Sequence, residues 1–416
     1  MPSSPPPEAP LLRLALADGR PATLLLGEGS TVLSVDEALV SSWDLCGRPY
    51  ALVRETGSYR RGLDGGLLHK REASADGPRV RRRLSAGEGE PVVEAARREA
   101  EAALAILRGC DQPPGSNSAP RSDADAGVGR LRTIVAMDAA ALREDAARFL
   151  AASGPVGILP PDQYLALVVR VTEGCSWNAC TFCGLYRDVP FRARRADELE
   201  RHIDALRAYL GPSLALRRTV FLGDANALCL AHSRLHPLVA AVAARFPGAP
   251  LYSFLDAWTG SRRSPAEWRD YSGLGLKRVY VGLETGDAAL LAWLGKPGSP
   301  QDAVSLVGAL HEAGIAAGVI ALLGAGGERF AAAHAARTTE VLSDMRLGPD
   351  DVVYFSEYAD APDLAYGRRA SGAPDLQPLS PARCREQRQE IRSAFRPADT
   401  ARPPRTATYD LREFVY

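Results

Sequence analysis

The sequence predicts an α/β protein: a partial parallel (β/α)6 barrel over residues 129–396, preceded by a small β-rich N-terminal region. Three observations predict it. From residue 163 onward, strand-like and helix-like segments alternate strictly, giving six strand–helix units. The strand segments are near-continuous apolar runs, as expected when both sheet faces are covered. Polar residues fall at the strand C-terminal ends, at Glu173, Asp224, Asn226, Asp256, Glu284 and Glu357. In α/β barrels that end carries the active site.

Taken in chain order, residues 1–10 ("MPSSPPPEAP") read as disordered and lack the basic-then-apolar pattern of a signal peptide. Residues 11–110 read as β-rich, with a helix at the end. "LLRLAL", "ATLLL", "PYALVRE" and "GGLLHKRE" are separated by Asp-Gly, Gly-Glu-Gly and Gly-Gly turn signals. The helix covers residues 91–108, "PVVEAARREAEAALAILR", opening on proline. Residues 111–128 are polar and turn-forming and read as a flexible linker. A short helix follows around 138–152.

The barrel strands are "YLALVVRV", "RTVFLGDANAL", "LYSFLDAW", "KRVYVGLETG", "IAAGVIALLGAGG" and "DDVVYFSEYAD". Between them, "DELERHIDALRAYL" places Leu199, Ile203, Leu206 and Leu210 on one helical stripe. "LHPLVAAVAARF", "SPAEWRDYSGL", "DAVSLVGALHEAG" and "AAAHAARTTEVLSDM" supply further helices. A last helix spans 381–395, and residues 397–416 form a C-terminal tail.

Lys+Arg and Asp+Glu both number 50, so the net charge is zero. That argues against nucleic acid as a partner, as does the lack of aromatic residues around the basic run "RVRRRL" at 79–84. No run approaches the ~18 consecutive apolar residues of a membrane span. Seven cysteines is an odd count, and Cys46, Cys110, Cys229 and Cys384 are scattered singly. This is no disulfide framework and fits a reducing cytoplasm.

The other three cysteines crowd into "EGCSWNACTFC", as Cys175, Cys180 and Cys183. A zinc knuckle would want four nitrogen or sulfur ligands, and no second Cys-x-x-Cys exists. The nearest histidine, His202, lies on the amphipathic helix and reads as a surface or packing residue. A thiol redox pair is a further alternative. The sharper reading is a [4Fe–4S] cluster on three thiolates, which leaves one iron open to a chelating small molecule.

The loop resembles that of the radical S-adenosylmethionine (SAM) superfamily. Its first gap, Cys175-x4-Cys180, is one residue longer than that superfamily's usual Cys-x3-Cys-x2-Cys. It is similar to a subset whose loops read "EGCxxNxCTFCxxY". Further stretches agree in order. The resemblance places Phe182 against the SAM adenine. It places Gly223, Asp224 and Asn226 of "FLGDANAL" near the methionine ammonium, and Glu284 at the ribose. "GVIALLGAGG" resembles the apolar segment flanking the adenine, with Gly324, Gly326 and Gly327 permitting close approach.

By the same resemblance, the cofactors are a [4Fe–4S] cluster and SAM. A reduced cluster would cleave SAM to methionine and a 5′-deoxyadenosyl radical, which abstracts hydrogen from a small-molecule substrate. An electron donor such as flavodoxin or ferredoxin is implied. Candidates for acid or hydrogen-donor roles near the mouth are Asp256, Tyr354, Glu357 and Tyr358, and each also has a plain structural role open to it. Cys229, just past the second strand, could quench a radical or be a buried small apolar residue. Two alternatives stay open: an enzyme of this kind that modifies RNA or a peptide, and a non-enzymatic Fe–S sensor using the same thiolates.

Overall fold

The computed structural model describes residues 9–73, 80–109, 121–359, 363–398 and 402–416. Residues 1–8 of the expected disordered start, residue 110 of the expected β-rich region and 111–120 of the expected linker lie outside that set. The chain divides into two compact units. One contains Met1–Pro155, Asp204–Arg218 and Arg412–Tyr416; the other contains Val156–Ile203 and Thr219–Leu411.

The first unit is an antiparallel meander of eight strands among the described residues, each paired with the next in sequence. They are β1 (Leu11–Ala15), β2 (Pro21–Leu26), β3 (Ser30–Val35), β4 (Leu39–Asp44), β5 (Pro49–Arg54), β6 (Gly57–Arg61), β7 (Leu67–Arg71) and β8 (Val80–Leu84). Three helices follow: α1 (Ala86–Gly109), α2 (Arg121–Val135) and α3 (Ala139–Ser153). In β1 alternate residues are buried, and Leu12, Leu14, Leu24, Leu33 and Trp43 pack with Ala96, Ala100 and Leu104 of α1 and Leu131 of α2. The sheet buries one face under helices; the other is exposed and mixed, with Leu11, Leu25 and Val53 among its outward residues.

Three expectations change here. Helix α1 begins five residues before the expected proline, because Ser85 and Glu88 cap it: the Ser85 N–H and hydroxyl both donate to Glu88 Oε2, at 2.9 and 2.8 Å. Residues 121–128, assigned to the linker, are the first half of α2. Of the basic run, residue 79 lies outside the described residues and Val80–Leu84 form β8, where Arg82 pairs with Glu88, Arg81 with Glu72 and Glu413, and Arg83 donates to Phe414 O. Helix α3 stands where expected, with Asp138 accepting the Ala141 N–H at 2.8 Å.

The second unit holds the barrel. Its strands are β9 (Leu167–Arg170), β12 (Val220–Gly223), β13 (Leu251–Asp256), β14 (Leu276–Glu284), β15 (Ala316–Leu323), β16 (Val352–Glu357) and β17 (Arg405–Thr408). Two short strands, β10 (Thr172–Glu173) and β11 (Arg192–Ala193), pair with each other. The helices are α4 (Ala196–Leu210), whose residues from Asp204 on are counted with the first unit, α5 (His232–Arg245), α6 (Ala257–Gly260), α7 (Pro265–Gly273), α8 (Ala288–Trp293), α9 (Pro300–Glu312), α10 (Gly327–Asp344), α11 (Ala365–Ala370) and α12 (Pro381–Ala394).

The sheet order is β17-β16-β15-β14-β13-β12-β9, with every pair parallel. All six expected strands are present in the expected order. The seventh, β17, comes from the segment assigned to a tail, whose last residues, 412–416, belong to the first unit. A four-residue strand rich in threonine carries too little periodicity to be read in advance. The α4 stripe of Leu199, Ile203, Leu206 and Leu210 is buried as expected. Capping boxes at Ser264 with Glu267 and at Ser299 with Asp302 start α7 and α9.

The sheet ends at β9, whose outer edge must still satisfy its backbone. His202 of α4 does so: the Arg170 N–H donates to His202 Nε2 at 3.1 Å, and the side chain is 5% exposed. His202 is therefore an edge cap rather than a surface residue. At the opposite end of the strands, Asp162 accepts from the Tyr280 and Tyr354 hydroxyls, both at 2.7 Å, and from Arg278 Nη1 at 2.9 Å. This corrects the reading of Tyr354 as a mouth residue. Its hydroxyl is tied to the segment leading into β9, at the barrel's N-terminal end. A cavity of about 550 Å³ at that end is lined by Tyr252, Arg278, His311 and Asp351. Residues at that end of a barrel serve stability rather than chemistry.

Candidate functional site

The cysteine loop leaves β10 at the C-terminal end of β9. Gly174 makes the exit possible: its φ is +74°, and a Cβ there would stand 2.6 Å from Val189 O. The loop is pinned from several sides. The Thr181 N–H donates to Leu294 O at 2.8 Å, and the Tyr366 N–H donates to Thr181 O at 2.9 Å. Asn178 Nδ2 donates to Tyr186 O at 2.7 Å. Asn178 holds the left-handed region at φ +48°, and its N–H points to Cys175 Sγ at 3.4 Å. A backbone N–H from Leu185 reaches Cys183.

Cys175, Cys180 and Cys183 are all free thiols and partly buried. They feel one another electrostatically: Cys180 interacts with Cys183 and Cys175, and Cys183 with Cys175. Burial pushes the Cys180 thiol up to about 12 and raises Cys183 as well. Alone, these groups stay protonated at neutral pH. A bound cationic centre is what would draw off their protons. Among the described residues no three Cys, His, Asp or Glu side chains converge tightly enough for a single metal ion. A cuboidal cluster does not ask for that, because each thiolate binds a different iron. The donor set of three soft sulfurs with backbone N–H groups aimed at them fits such a cluster and suits a mononuclear zinc site poorly.

Around the loop, the other predicted residues separate into two groups. Glu284 ends β14 beside a register shift between Gly282 and Glu284, and it holds φ +61°. A glutamate in that region is strained, and bulges of this kind re-aim side chains at functional sites. Glu284 pairs with Lys296, whose side chain is 11% exposed. The Lys296 ammonium also feels Cys180 and Asp256. Sequence reasoning missed Lys296. Its signal was composition: only Lys70, Lys277 and Lys296 are lysines in an arginine-rich chain.

Asn226 is 3% exposed and joins two segments: its Nδ2 donates to Ser176 Oγ at 2.7 Å and to Asp256, while its Oδ1 accepts the Asp256 N–H at 3.0 Å. Cys229 also belongs to this group. Its thiol is hydrogen-bonded to Ser176, feels Asp256 and Cys175, and is raised by burial.

The second group is engaged elsewhere. Asp224 is not an open acceptor: Arg170 holds it through Nη2 at 2.9 Å and Nε at 3.1 Å, and the Gly174 N–H donates to it at 3.0 Å. Gly223 O accepts from the Val171 N–H at 2.8 Å. Asp256 caps α6, accepting from the Thr259 N–H and hydroxyl, both at 2.7 Å. Gly324, at φ +78°, makes its close approach to the chain's own α12: a Cβ would meet Cys384 Sγ at 2.7 Å, and its N–H donates to Gln387 Oε1 at 3.0 Å. Gly326 donates to the Tyr366 hydroxyl at 2.8 Å, and Gly327 packs on residues 375–377. These glycines are explained by packing of the C-terminal segment. Glu357 ends β16 opposite Leu323, and its charge reaches Cys384. Tyr358 stacks on Tyr366 with ring centroids 4.3 Å apart. Phe182 and Tyr358 both pack on an apolar cluster of Leu290, Leu294, Leu322, Ala325 and Tyr366.

Behind Glu284, Thr285 is fixed to α10 by His334, whose Nδ1 lies 2.7 Å from the Thr285 hydroxyl. His334 is fully buried, and burial pushes its pKa down to about 4. Below the ordinary value near 6.5, the unfolded chain binds a proton that the folded chain refuses. This residue's contribution is therefore intact above pH 6.5 and is lost as pH falls toward 4, by about 3 kcal/mol in all. Urea midpoints at pH 7 and pH 4.5 should separate by less in His334→Gln than in the wild type.

Residues 169–334, from β9 into α10, match the family model described as the radical SAM superfamily. That stretch, about two fifths of the chain, is similar to a radical SAM domain. Enzymes of this superfamily bind a [4Fe–4S] cluster and SAM, act on a substrate and need a reductant; the match supports an enzyme here. No curated protein matches the chain. Among solved structures, the radical SAM methyltransferase TsrM from Kitasatospora setae, with cobalamin and a [4Fe–4S] cluster bound, is 16% identical over 58% of this chain and 55% of its own, with a TM-score of 0.41. Methylornithine synthase (PylB) is 16% identical over 60% and 67%, with a TM-score of 0.40. Coproporphyrinogen III oxidase (HemN) from Escherichia coli is 19% identical over 59% and 54%, also at 0.40. The chain spans 55% of the length of that TsrM structure and 35% of a second one. No helix among the described residues is long and apolar enough to cross a membrane.

Proposed function

We propose that this radical SAM domain carries out hydrogen abstraction from a small-molecule substrate, with Cys175, Cys180 and Cys183 as the cluster ligands. The observation that carries the reading is the set of three free, mutually coupled thiols at the C-terminal mouth of an open barrel, beside the strained Glu284 and its partner Lys296. When bound, the cluster and SAM supply a one-electron reduction and a hydrogen-abstracting radical. The chain's own residues do the rest. N–H groups of Asn178 and Leu185 offset charge on the thiolates. Glu284 and Lys296 offer an oriented acceptor and donor beside Cys180. Phe182 and the apolar cluster behind it provide a dry wall for a flat ring and exclude water. Electrons come from a flavodoxin- or ferredoxin-type donor.

Arg81 and Arg82 of β8 pair with carboxylates, which favours a small-molecule substrate over RNA. Anaerobic reconstitution followed by dithionite and SAM should yield 5′-deoxyadenosine. A protein with full cluster occupancy that forms none is a sensor or binding protein instead.

A further inference from the structure

One corner of the barrel mouth takes no part in the arrangement above. Trp177 lies in the gap between Cys175 and Cys180, and its indole N–H donates to Gly295 O at 2.8 Å. The ring is thereby fixed, yet 43% exposed. Trp258, on α6 just past the end of β13, meets it with centroids 6.3 Å apart and planes at 61°. Arg262 lies over the Trp258 ring, its Cζ 4.0 Å from the centroid. The cysteine loop, α6 and the segment after α8 all follow C-terminal strand ends, so this corner shares the face that carries the thiols.

A single exposed apolar side chain needs no explanation. Two indoles meeting edge to face, one locked by its N–H, with a cation stacked beside them, is a different matter. Arg262 has no ion pair and no side-chain hydrogen bond among the described residues, whereas other exposed arginines such as Arg192 and Arg195 each have a carboxylate. Stacking on Trp258 holds its guanidinium in place without using up its donors. The 6.3 Å and 4.0 Å separations bound that guanidinium to within about 10 Å of the Trp177 ring, the span of one ring and one substituent.

We propose that this corner recognises the substrate, and that the substrate carries a planar π-system bearing an anionic group such as a carboxylate. The ring lies on the open face of Trp177 against the wall formed by Trp258. The anionic group takes the Arg262 guanidinium, whose fork matches two carboxylate oxygens. The edge-to-face pair favours flatness, because a planar ring matches one indole face and the other's edge, whereas a puckered ring touches them only through scattered C–H groups. This rests on the reading of the mouth as catalytic, but its test reads binding alone.

The experiment uses the full chain with reconstituted cluster and titrates indole-3-carboxylate, cyclohexanecarboxylate and neutral indole by calorimetry or ligand-observed NMR. Indole-3-carboxylate should bind about tenfold more tightly than either comparator. Arg262→Gln should remove that advantage over indole and leave indole itself unchanged. Trp258→Leu should weaken both aromatic probes about tenfold; it avoids the cysteine loop, and iron content confirms that the loop is intact. Equal binding of cyclohexanecarboxylate, or unchanged affinities in both variants, overturns the proposal. Selective binding by a chain that never cleaves SAM would sink the enzymatic reading and leave this one standing. SAM cleavage without selectivity would do the reverse.

Discussion

Alanine in place of any one of Cys175, Cys180 or Cys183 lowers iron from about four per reconstituted chain to below about one and abolishes 5′-deoxyadenosine formation. The size of the effect follows from the donor set. Three thiolates are the minimum that holds a cuboid while leaving one iron open. The matched controls are Cys46→Ala and Cys384→Ala. Cys46 Sγ donates to Leu210 O at 3.4 Å, and Cys384 is 4% exposed with its thiol toward Leu379 O at 3.6 Å. Both are packing residues, so their alanine variants should keep the cluster and lose only some stability, about 1 kcal/mol each. Iron analysis and the visible absorption of the thiolate-ligated cluster separate the two classes. An alanine variant at Cys183 that keeps its iron would mean that the loop is not the ligand set.

The barrel was legible because parallel strands covered on both faces must be apolar throughout, and runs such as "VFLG" and "GVIALL" are little else. The meander was half legible. Runs flanked by glycine turns stood out, but β3 and β4 meet at Asp36 and Glu37, both at positive φ without a glycine to announce it. The three cysteines were legible because their spacing is chemical. The rest of the mouth was not, because its partners come from distant segments. Nothing local marks Asp224 as the partner of Arg170, 54 residues away, or Asn226 as the bridge between Ser176 and Asp256. The glycines after β15 show the converse error. Their positive φ was real, but the chain they admit is α12 and its approach, which sequence order alone does not bring there.

That hidden ion pair gives the second large effect. Arg170 and Asp224 have side chains 8% and 3% exposed and are joined by two guanidinium nitrogens. Burial raises the Asp224 carboxyl, and Arg170 and the Gly174 N–H offset that only in part. Arg170→Met strips away the counter-ion and leaves a carboxylate among apolar strands, which should destabilise the barrel by about 3–5 kcal/mol. The urea midpoint of the barrel's transition in the cluster-free chain measures it. The pair as a whole contributes far less than its breakage costs, because desolvating two charges offsets most of their attraction. Arg170→Met combined with Asp224→Leu should therefore regain most of the loss, a coupling visible in a double-mutant cycle. Arg170→Lys should fall between, since an ammonium cannot present two parallel donors. Stability and site part company in the double variant. It lacks the carboxylate that accepts the Gly174 N–H, so the turn leading into Cys175 loses its anchor, and cluster uptake should slow even where folding recovers. A double variant that folds and loads iron at the wild-type rate would show the pair to be structural only.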